Sequence, residues 1–554
     1  MVIKKLLFLL FLLFYYFNSI AQNSFYDDIH LMDYQRTRQL LYDSNEAINN
    51  SFLIRSNSSF QFLQSKLKGT TKDIIQFVNF NFDQQNNSLL PISFNDGNMY
   101  PARGWQERYS VGVNLKLLFF DINYQPEKLT VQNLTQEYYP GNTGDGNFMF
   151  KYFGMVANNI DNFRQFGYDR IEETTLGQSR VGIKFKYIAA GLSNENIWWG
   201  PGKRNALLFT NNAPGFLHAF LQTKKPIKTK IGNFEFNAIY GELGNVDYTH
   251  PDDSIMRTIW SGAIQEKFMN TRNIQAFTIN WNPKWMNNFY IGYSFSQQSY
   301  KEDSLFFTKK IPSEKNKMTL GAVMFRYVMP RDHAEFYAEI GQPDRTATPG
   351  SFFNDTVKTG FVFGVTKLTK FKSNKSYLRL NVEMAQLQLY NPKDMFYPGW
   401  AFVGGLPNSW YTSDIIKQGY TNQGQILGAP IGPGSNSQSI AFSWNKGFNK
   451  IGLFFERLVH NSDFYHYAYL TGLLGYSRAD AYWVDLNGGV EVQFMPYKNI
   501  LIAGTYQNTN AMNYRWVKNV NDISVDKFAD PGIDSDKYNS QFNFSVKFLF
   551  NGPR

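Results

Sequence analysis

The sequence predicts an all-β chain: a transmembrane outer-membrane β-barrel of about 18 antiparallel strands, with a small N-terminal helical element. Three observations lead there. The chain opens on an export signal. It is aromatic without being apolar, since 51 Phe and 34 Tyr coexist with a mean hydropathy of −0.38. From about residue 90 onward, apolar and polar residues alternate in short runs, and the last run ends within a few residues of the C-terminus.

Taken in order, residues 1–21 form the signal peptide. Lys4 and Lys5 make its charged start, Leu6 to Phe17 its apolar stretch, and Ser19 and Ala21 the small residues of a cleavage site before Gln22. The apolar stretch is short for a retained membrane anchor. Residues 22–89 are expected to be an N-terminal helical, periplasmic or plug segment. Its helix runs from Asp27 to about Asn50, with Leu31, Tyr34, Leu40 and Leu41 as an apolar stripe among Arg36, Arg38, Asp43 and Glu46. A second short helical or strand segment is expected around Ile74–Phe80.

Residues 90–554 are expected to form the barrel with its extracellular loops. Val181, Ile183, Phe185 and Tyr187 alternate with Arg180, Gly182, Lys184 and Lys186. Leu378, Leu380, Val382 and Met384 alternate with Arg379, Asn381 and Glu383. Phe542, Phe544, Val546, Phe548 and Phe550 close the chain against Gln541, Asn543, Ser545 and Lys547. Side chains flip face at each strand residue, so every such run has one greasy and one wet face. A soluble sandwich accepts the same pattern. Export and the terminal aromatic strand, which pairs with the first to remove the open edge, favour the barrel. About 460 residues at roughly 25 per strand and connection give about 18 strands. The longest poorly patterned stretch, Asn391 to Ser437, is an extracellular excursion or an inward-folded loop.

There are no cysteines, so disulfides and thiolate metal sites are excluded. The formal net charge of +10 suits anionic partners such as lipopolysaccharide or acidic polysaccharide, and equally a spread of solvated charge. Nucleic acid is not an expected partner of an exported aromatic barrel.

The stretch that organises the rest is Ser193–His218, SNENIWWGPGKRNALLFTNNAPGFLH. Trp198 and Trp199 run into the Gly200-Pro201-Gly202 turn. Lys203 and Arg204 follow, then Asn211 and Asn212 before a second turn at Pro214-Gly215. Pro fixes φ and Gly permits positive φ, so the backbone is stiff. That suits a recognition surface or a packed plug. These six residues, Trp198, Trp199, Lys203, Arg204, Asn211 and Asn212, are the candidate polysaccharide-binding set. The indoles offer flat faces for sugar rings, or else pack inside the barrel mouth. Arg204 and the asparagines suit carboxylates and hydroxyls, or else cap the turns. Lys224, Lys225, Lys228 and Lys230 suit lipopolysaccharide phosphate, or a solvated strand end.

Ser193–His218 resembles the central signature of the Wzi-like capsule assembly proteins of bacterial outer membranes. Gln125-Pro126-Glu127, the run Lys224–Gly232, Tyr420-Thr421-Asn422-Gln423-Gly424 and Gly428–Pro433 fit the same pattern. The resemblance covers most of the mature chain. It implies an outer-membrane barrel that attaches capsular or related exopolysaccharide in a lectin-like manner, by non-covalent contacts rather than reaction chemistry; a monomer among outer-membrane lipids and lipopolysaccharide, with no cofactor or metal, is the expected state. The rival classes are a porin or sugar transporter, which needs an open lumen, and an outer-membrane hydrolase. No G-x-S-x-G elbow, H-E-x-x-H or P-loop is present, and the adjacent acids Glu172-Glu173 and Asp252-Asp253 would face opposite sides of a strand. His460 and His466 flank Asp463 without metal-ligand spacing.

Overall fold

The computed structural model describes residues 29–41, 50–55, 75–117, 119–136, 151–246, 265, 267, 270–301, 316–343, 359–371, 376–389, 409–470, 481–497, 499–516 and 535–551. The expected signal peptide lies outside the described residues.

Among them, eighteen strands close into one antiparallel barrel. They are β1 (Ile75–Asn87), β2 (Gly104–Leu117), β3 (Phe120–Tyr124 with Glu127–Val131), β4 (Ile171–Thr175 with Arg180–Lys184), β5 (Ile188–Ser193) and β6 (His218–Thr223 with Ile227–Thr229). There follow β7 (Gly232–Leu243), β8 (Arg272–Pro283), β9 (Phe289–Tyr300), β10 (Lys317–Met329), β11 (Ala334–Pro343) and β12 (Gly360–Lys370). The last six are β13 (Ser376–Gln386), β14 (Asn436–Lys446), β15 (Asn449–Val459), β16 (Val484–Tyr497), β17 (Ile500–Met512) and β18 (Lys537–Asn551). Each pairs with its sequence neighbours, and β18 returns to β1 in the register Phe80↔Phe548. Closure leaves no backbone edge for lipid, where an unpaired amide costs several kcal/mol (~4–8 in a hydrocarbon reference). Strands β3 and β4 break side by side at Pro126 and Gly177, joined by a Gln125–Gly177 bridge. Strand β6 breaks before Pro226, which cannot donate to a ladder.

The barrel begins earlier than expected. Strand β1 starts at Ile75, inside the stretch 22–89 assigned to the N-terminal segment, so the boundary at residue 90 is corrected. Its second half, Asp83-Gln84-Gln85-Asn86-Asn87, has no apolar alternate residue, and that polar run conceals it in the sequence.

The alternation has the expected polarity. On β13, Leu378, Val382 and Met384 are exposed, whereas Asn381 and Glu383 are buried. On β18, Phe542 faces out while Gln541 is buried. Short turns gather at the end where β1 begins and β18 finishes, which is the periplasmic end of such barrels; long connections gather at the other, extracellular end. Exposed Phe119, Tyr187, Trp285, Phe371, Trp444 and Tyr497 lie at or beside the short turns and form an aromatic girdle at that interface.

The lumen is filled. Helix α1 (Ile29–Leu40) sits in its periplasmic half. The helix was expected from Asp27 to about Asn50; residues 42–49 lie outside the described residues. It buries Gln35, Arg36 and Thr37 along with Leu40, because the wall it meets is polar. Arg36 Nε lies 2.9 Å from Glu335 on β11, and Arg326 on β10 lies 2.7 Å from the same carboxylate. Thr366 Oγ1 also donates to Glu335, at 2.9 Å. Leu40 packs with Leu53, Tyr290, Met324, Val328, Leu368 and Tyr377, and Tyr34 stacks on Phe448 at 4.0 Å.

Removing the Glu335 carboxylate leaves two buried guanidiniums facing each other, which costs about 3–5 kcal/mol. Because the chain has no cysteine, a nitroxide on Met32→Cys reports on α1 alone. It is expected to be immobilised in the parent protein and mobile in Glu335→Ala; an unchanged spectrum would remove Glu335 as the helix anchor.

Candidate functional site

Ser193–His218 connects β5 to β6 at the extracellular end, yet it folds down into the lumen and meets the N-terminal segment. Ile54 and Arg55 pair with Trp199 and Trp198 as a two-residue antiparallel ladder. Gly200 N–H donates to the Leu53 carbonyl at 2.7 Å. Arg36 Nη1 donates to the Pro201 carbonyl at 2.6 Å, and Arg55 donates to the Gly202 carbonyl.

Two wall carboxylates hold the turn. Glu339 on β11 accepts the amides of Gly202 at 3.1 Å and Leu207 at 2.8 Å. Glu383 on β13 accepts those of Lys203 at 2.6 Å, Arg204 at 3.1 Å and Asn205 at 2.8 Å, with Tyr337 Oη donating at 2.9 Å. The glycines are required here. A Cβ on Gly202 would lie 1.6 Å from the Asn205 carbonyl oxygen, and Gly200, at φ +127°, would place one 2.2 Å from Glu339.

Above the turn, the connection from β13 to β14 also folds inward. Tyr411 Oη donates to the Leu207 carbonyl and accepts from Ala429 N–H, both at 2.7 Å. Tyr411 and Tyr420 stack at 5.8 Å, and Phe209 leans on Tyr420 at 6.0 Å. Trp199, Leu207, Phe209, Trp410, Tyr411, Tyr420 and Ile426 belong to one apolar core inside the barrel's extracellular half. Two stretches that carry the family resemblance, 193–218 and 420–433, therefore pack on each other. Trp400 of the same connection lies outside the described residues.

The six candidate residues separate. Trp198 and Trp199 are 2% and 1% exposed; the Arg55 guanidinium lies over Trp198 at 3.8 Å. Lys203 reaches Asp33 of α1 at 3.3 Å and Glu335 at 3.5 Å. Burial pushes its ammonium down to about 8, against the pull of those two carboxylates. Arg204 Nη2 pairs with Glu456 on β15 at 2.9 Å. Asn211 gives its carbonyl to Gly97 N–H at 2.7 Å, and Asn212 Nδ2 donates to the Ile426 carbonyl at 2.9 Å. Only Arg204 and Asn212 of the set line the cavity at the extracellular end, where Phe94, Arg164, Trp483 and Trp516 join them. Trp198 and Asn211 line a second, polar cavity of about 230 Å³ beside Asp83, Arg108 and Glu127. His460 Nε2 bonds Asp485 at 2.7 Å and His466 Nε2 bonds Tyr482 at 3.0 Å, so the two rings have separate partners.

Sequence reasoning missed Glu339, Glu383 and Glu456. Glu383 had a readable signal, a carboxylate between the lipid-facing Val382 and Met384, since an ionisable residue at membrane depth faces the interior and a partner. Asp33 is held in the same way from the plug's side. Burial would raise its carboxyl, but Arg379 and Lys203 outweigh that and keep it well below the usual carboxylate range.

This architecture defines a class: an outer-membrane β-barrel whose lumen is occupied by its own N-terminal helix and inward-folded loops. Within that class, a family model described as capsule assembly protein Wzi matches residues 124–517, and the chain belongs to that family. A solved Escherichia coli structure, described as Wzi, an outer-membrane protein involved in group 1 capsule assembly and a carbohydrate-binding β-barrel, aligns at TM-score 0.54 with 12% identity. The alignment covers 95% of this chain and 99% of that one, and at this identity it shows the fold. OccD3 of Pseudomonas aeruginosa aligns at TM-score 0.40 with 8% identity over 87% of this chain and 93% of that one. OccAB1 of Acinetobacter baumannii aligns at 0.38 with 9% identity over 88% and 98%. No curated protein sequence matches the chain.

Two outcomes follow from this geometry. Gly202→Val cannot hold the turn against Glu339 and Glu383, so planar-bilayer conductance should rise above that of the parent; equal, low conductance in both would show that the turn does not close the lumen. For Asp33, the docked carboxyl stays charged to lower pH than the free side chain (~3.9), so below that pH the undocked state binds more protons. The Met32→Cys nitroxide should stay immobile across neutral pH and loosen only as pH falls below ~4; loosening near neutrality would contradict this pairing.

Proposed function

We propose that this protein holds capsular or a related exopolysaccharide on the cell surface through non-covalent contacts of its extracellular face. It acts as a monomer among outer-membrane lipids and lipopolysaccharide, and it requires no turnover. Family membership supplies the setting, and the Escherichia coli structure in the same fold is described as carbohydrate-binding. The observation that carries the reading is the occupied lumen: Glu339 and Glu383 fasten the 202–207 turn, and α1 lies beneath it. A porin or polymer exporter needs an open path, and here the polar wall is spent on the chain's own amides and guanidiniums. What is left for recognition is the extracellular end, where the inward-folded loops present rings, amides and arginines around a concave surface. Such sites hold sugars by stacking and hydrogen bonding, and weak contacts repeated along a polymer add up.

In a strain lacking the gene, polysaccharide should move from cells to medium with total synthesis unchanged, and the wild-type gene should restore it. An unchanged distribution would overturn attachment.

A further inference from the structure

The cavity at the extracellular end has a volume of about 140 Å³. At the ~10–15 Å³ that one water needs, this is room for about ten waters, enough to seat a monosaccharide unit. The ion pair Arg204–Glu456 forms part of its lining. Its walls come from the β1–β2 connection (Phe94), residues 156–164, the 425–433 segment, and the start of β16 beside Trp483.

Both carboxylates in its wall are already committed. Glu456 takes Arg204 at 2.9 Å and Asn487 Nδ2 at 3.3 Å. Asp485 takes His460 Nε2 at 2.7 Å and Trp483 Nε1 at 2.8 Å. Arg164 is different. Its guanidinium lies 5.3 Å over the Trp483 ring, half-buried, and has no carboxylate partner among the described residues. A planar guanidinium resting on an indole at the wall of a pocket is pre-oriented for a bidentate anion. A second unmet group points to the same occupant. Gln425 is 3% exposed, and its Nε2 has no hydrogen-bond acceptor. Phe94, Phe163 and Ile431 supply flat or apolar surface for C–H groups. Three further lining residues, Asn461, Arg515 and Trp516, keep left-handed φ values of 34°, 57° and 60° despite not being glycine. Backbone of that kind persists where surrounding structure fixes it, and it clusters at binding sites.

We propose that this cavity is a subsite for an acidic sugar residue, with the carboxylate received by Arg164 and a ring hydroxyl by Gln425 Nε2. The assignment rests on the attachment reading and deepens it by naming the chemical class of the unit recognised.

The test is calorimetric titration of the full detergent-purified protein with oligosaccharides cut from the producing strain's own polysaccharide, either native or with carboxyls reduced to hydroxymethyl groups. The parent should bind the native form about tenfold or more tightly than the reduced form, the scale of one hydrogen-bonded charge. Arg164→Gln should bind both forms at the reduced-form level, and Arg164→Lys should fall between. Arg170→Gln, which alters an exposed ion pair with Glu172, should match the parent. Heat-modifiable electrophoretic mobility verifies folding of each variant, and should Arg164→Gln fail it, the native-against-reduced comparison on the parent decides. Equal affinity for the two forms, a polymer without carboxyls, or undiminished discrimination in Arg164→Gln would overturn the subsite. If the parent binds neither form while the deletion strain sheds polymer, the subsite falls and attachment stands. If the deletion strain retains its polymer, the attachment reading falls, and the subsite with it.

Discussion

Glu339 and Glu383 stand on the barrel wall and receive the backbone amides of a turn made of Gly, Pro, Lys, Arg and Asn, and most of the interior depends on that contact. A carboxylate inside a membrane barrel needs donors, and a turn rich in glycine has amides that no helix or sheet has claimed. Bringing them together satisfies both at once. It also fixes where Trp199, Leu207 and Phe209 lie, and these nucleate the apolar core that Trp410, Tyr411 and Tyr420 complete. Without the carboxylates, the amides of Gly202, Lys203, Arg204, Asn205 and Leu207 would lose their partners on the wall, although the ladder to Ile54–Arg55 and the Arg204–Glu456 pair would remain.

One strand records how the lumen is layered. Reading up β13 on its inward side, Tyr377, Arg379, Asn381, Glu383 and Ala385 pass from aromatic through charged and amide to small and apolar, and Leu387 continues beyond the strand. The lowest level meets α1, the middle level takes Asp33 and the 202–207 turn, and the upper level meets the loop core. A porin keeps its wall polar throughout to face water. This wall changes character because it faces three different pieces of the same chain.

Much of the barrel was legible in the sequence. The alternation in 378–384 and 542–548 gives both the strands and the lipid-facing side, because period two is a local property. Strand β1 was harder, since Asp83 to Asn87 are all polar and a strand whose lumen side and rim are both hydrophilic has no contrast to read. The site was legible by halves. The stiffness of Trp198–Gly202 is written in its Gly and Pro, but the wall carboxylates that hold the 202–207 turn stand 132 to 252 residues further along. No local pattern joins a turn to a carboxylate at that distance. The cavity residues Arg164 and Gln425 likewise meet only through the closed barrel.

The two-residue ladder between Ile54–Arg55 and Trp198–Trp199 joins a segment that precedes the first strand to a loop that enters from the opposite end. Ile54–Arg55 pairs with no other strand among the described residues, whereas Trp199 also bridges Phe209 of its own loop, and Arg36 must find Glu335 across 299 residues of chain. Contacts of such sequence separation pay their loop-closure entropy before they are rewarded, which makes them slow. Closing the wall and filling the lumen are thus separate problems for this chain, the second waiting on contacts of the longest range. At the centre of the barrel the interior is joined by a segment that precedes the first strand and a loop that enters from the far end.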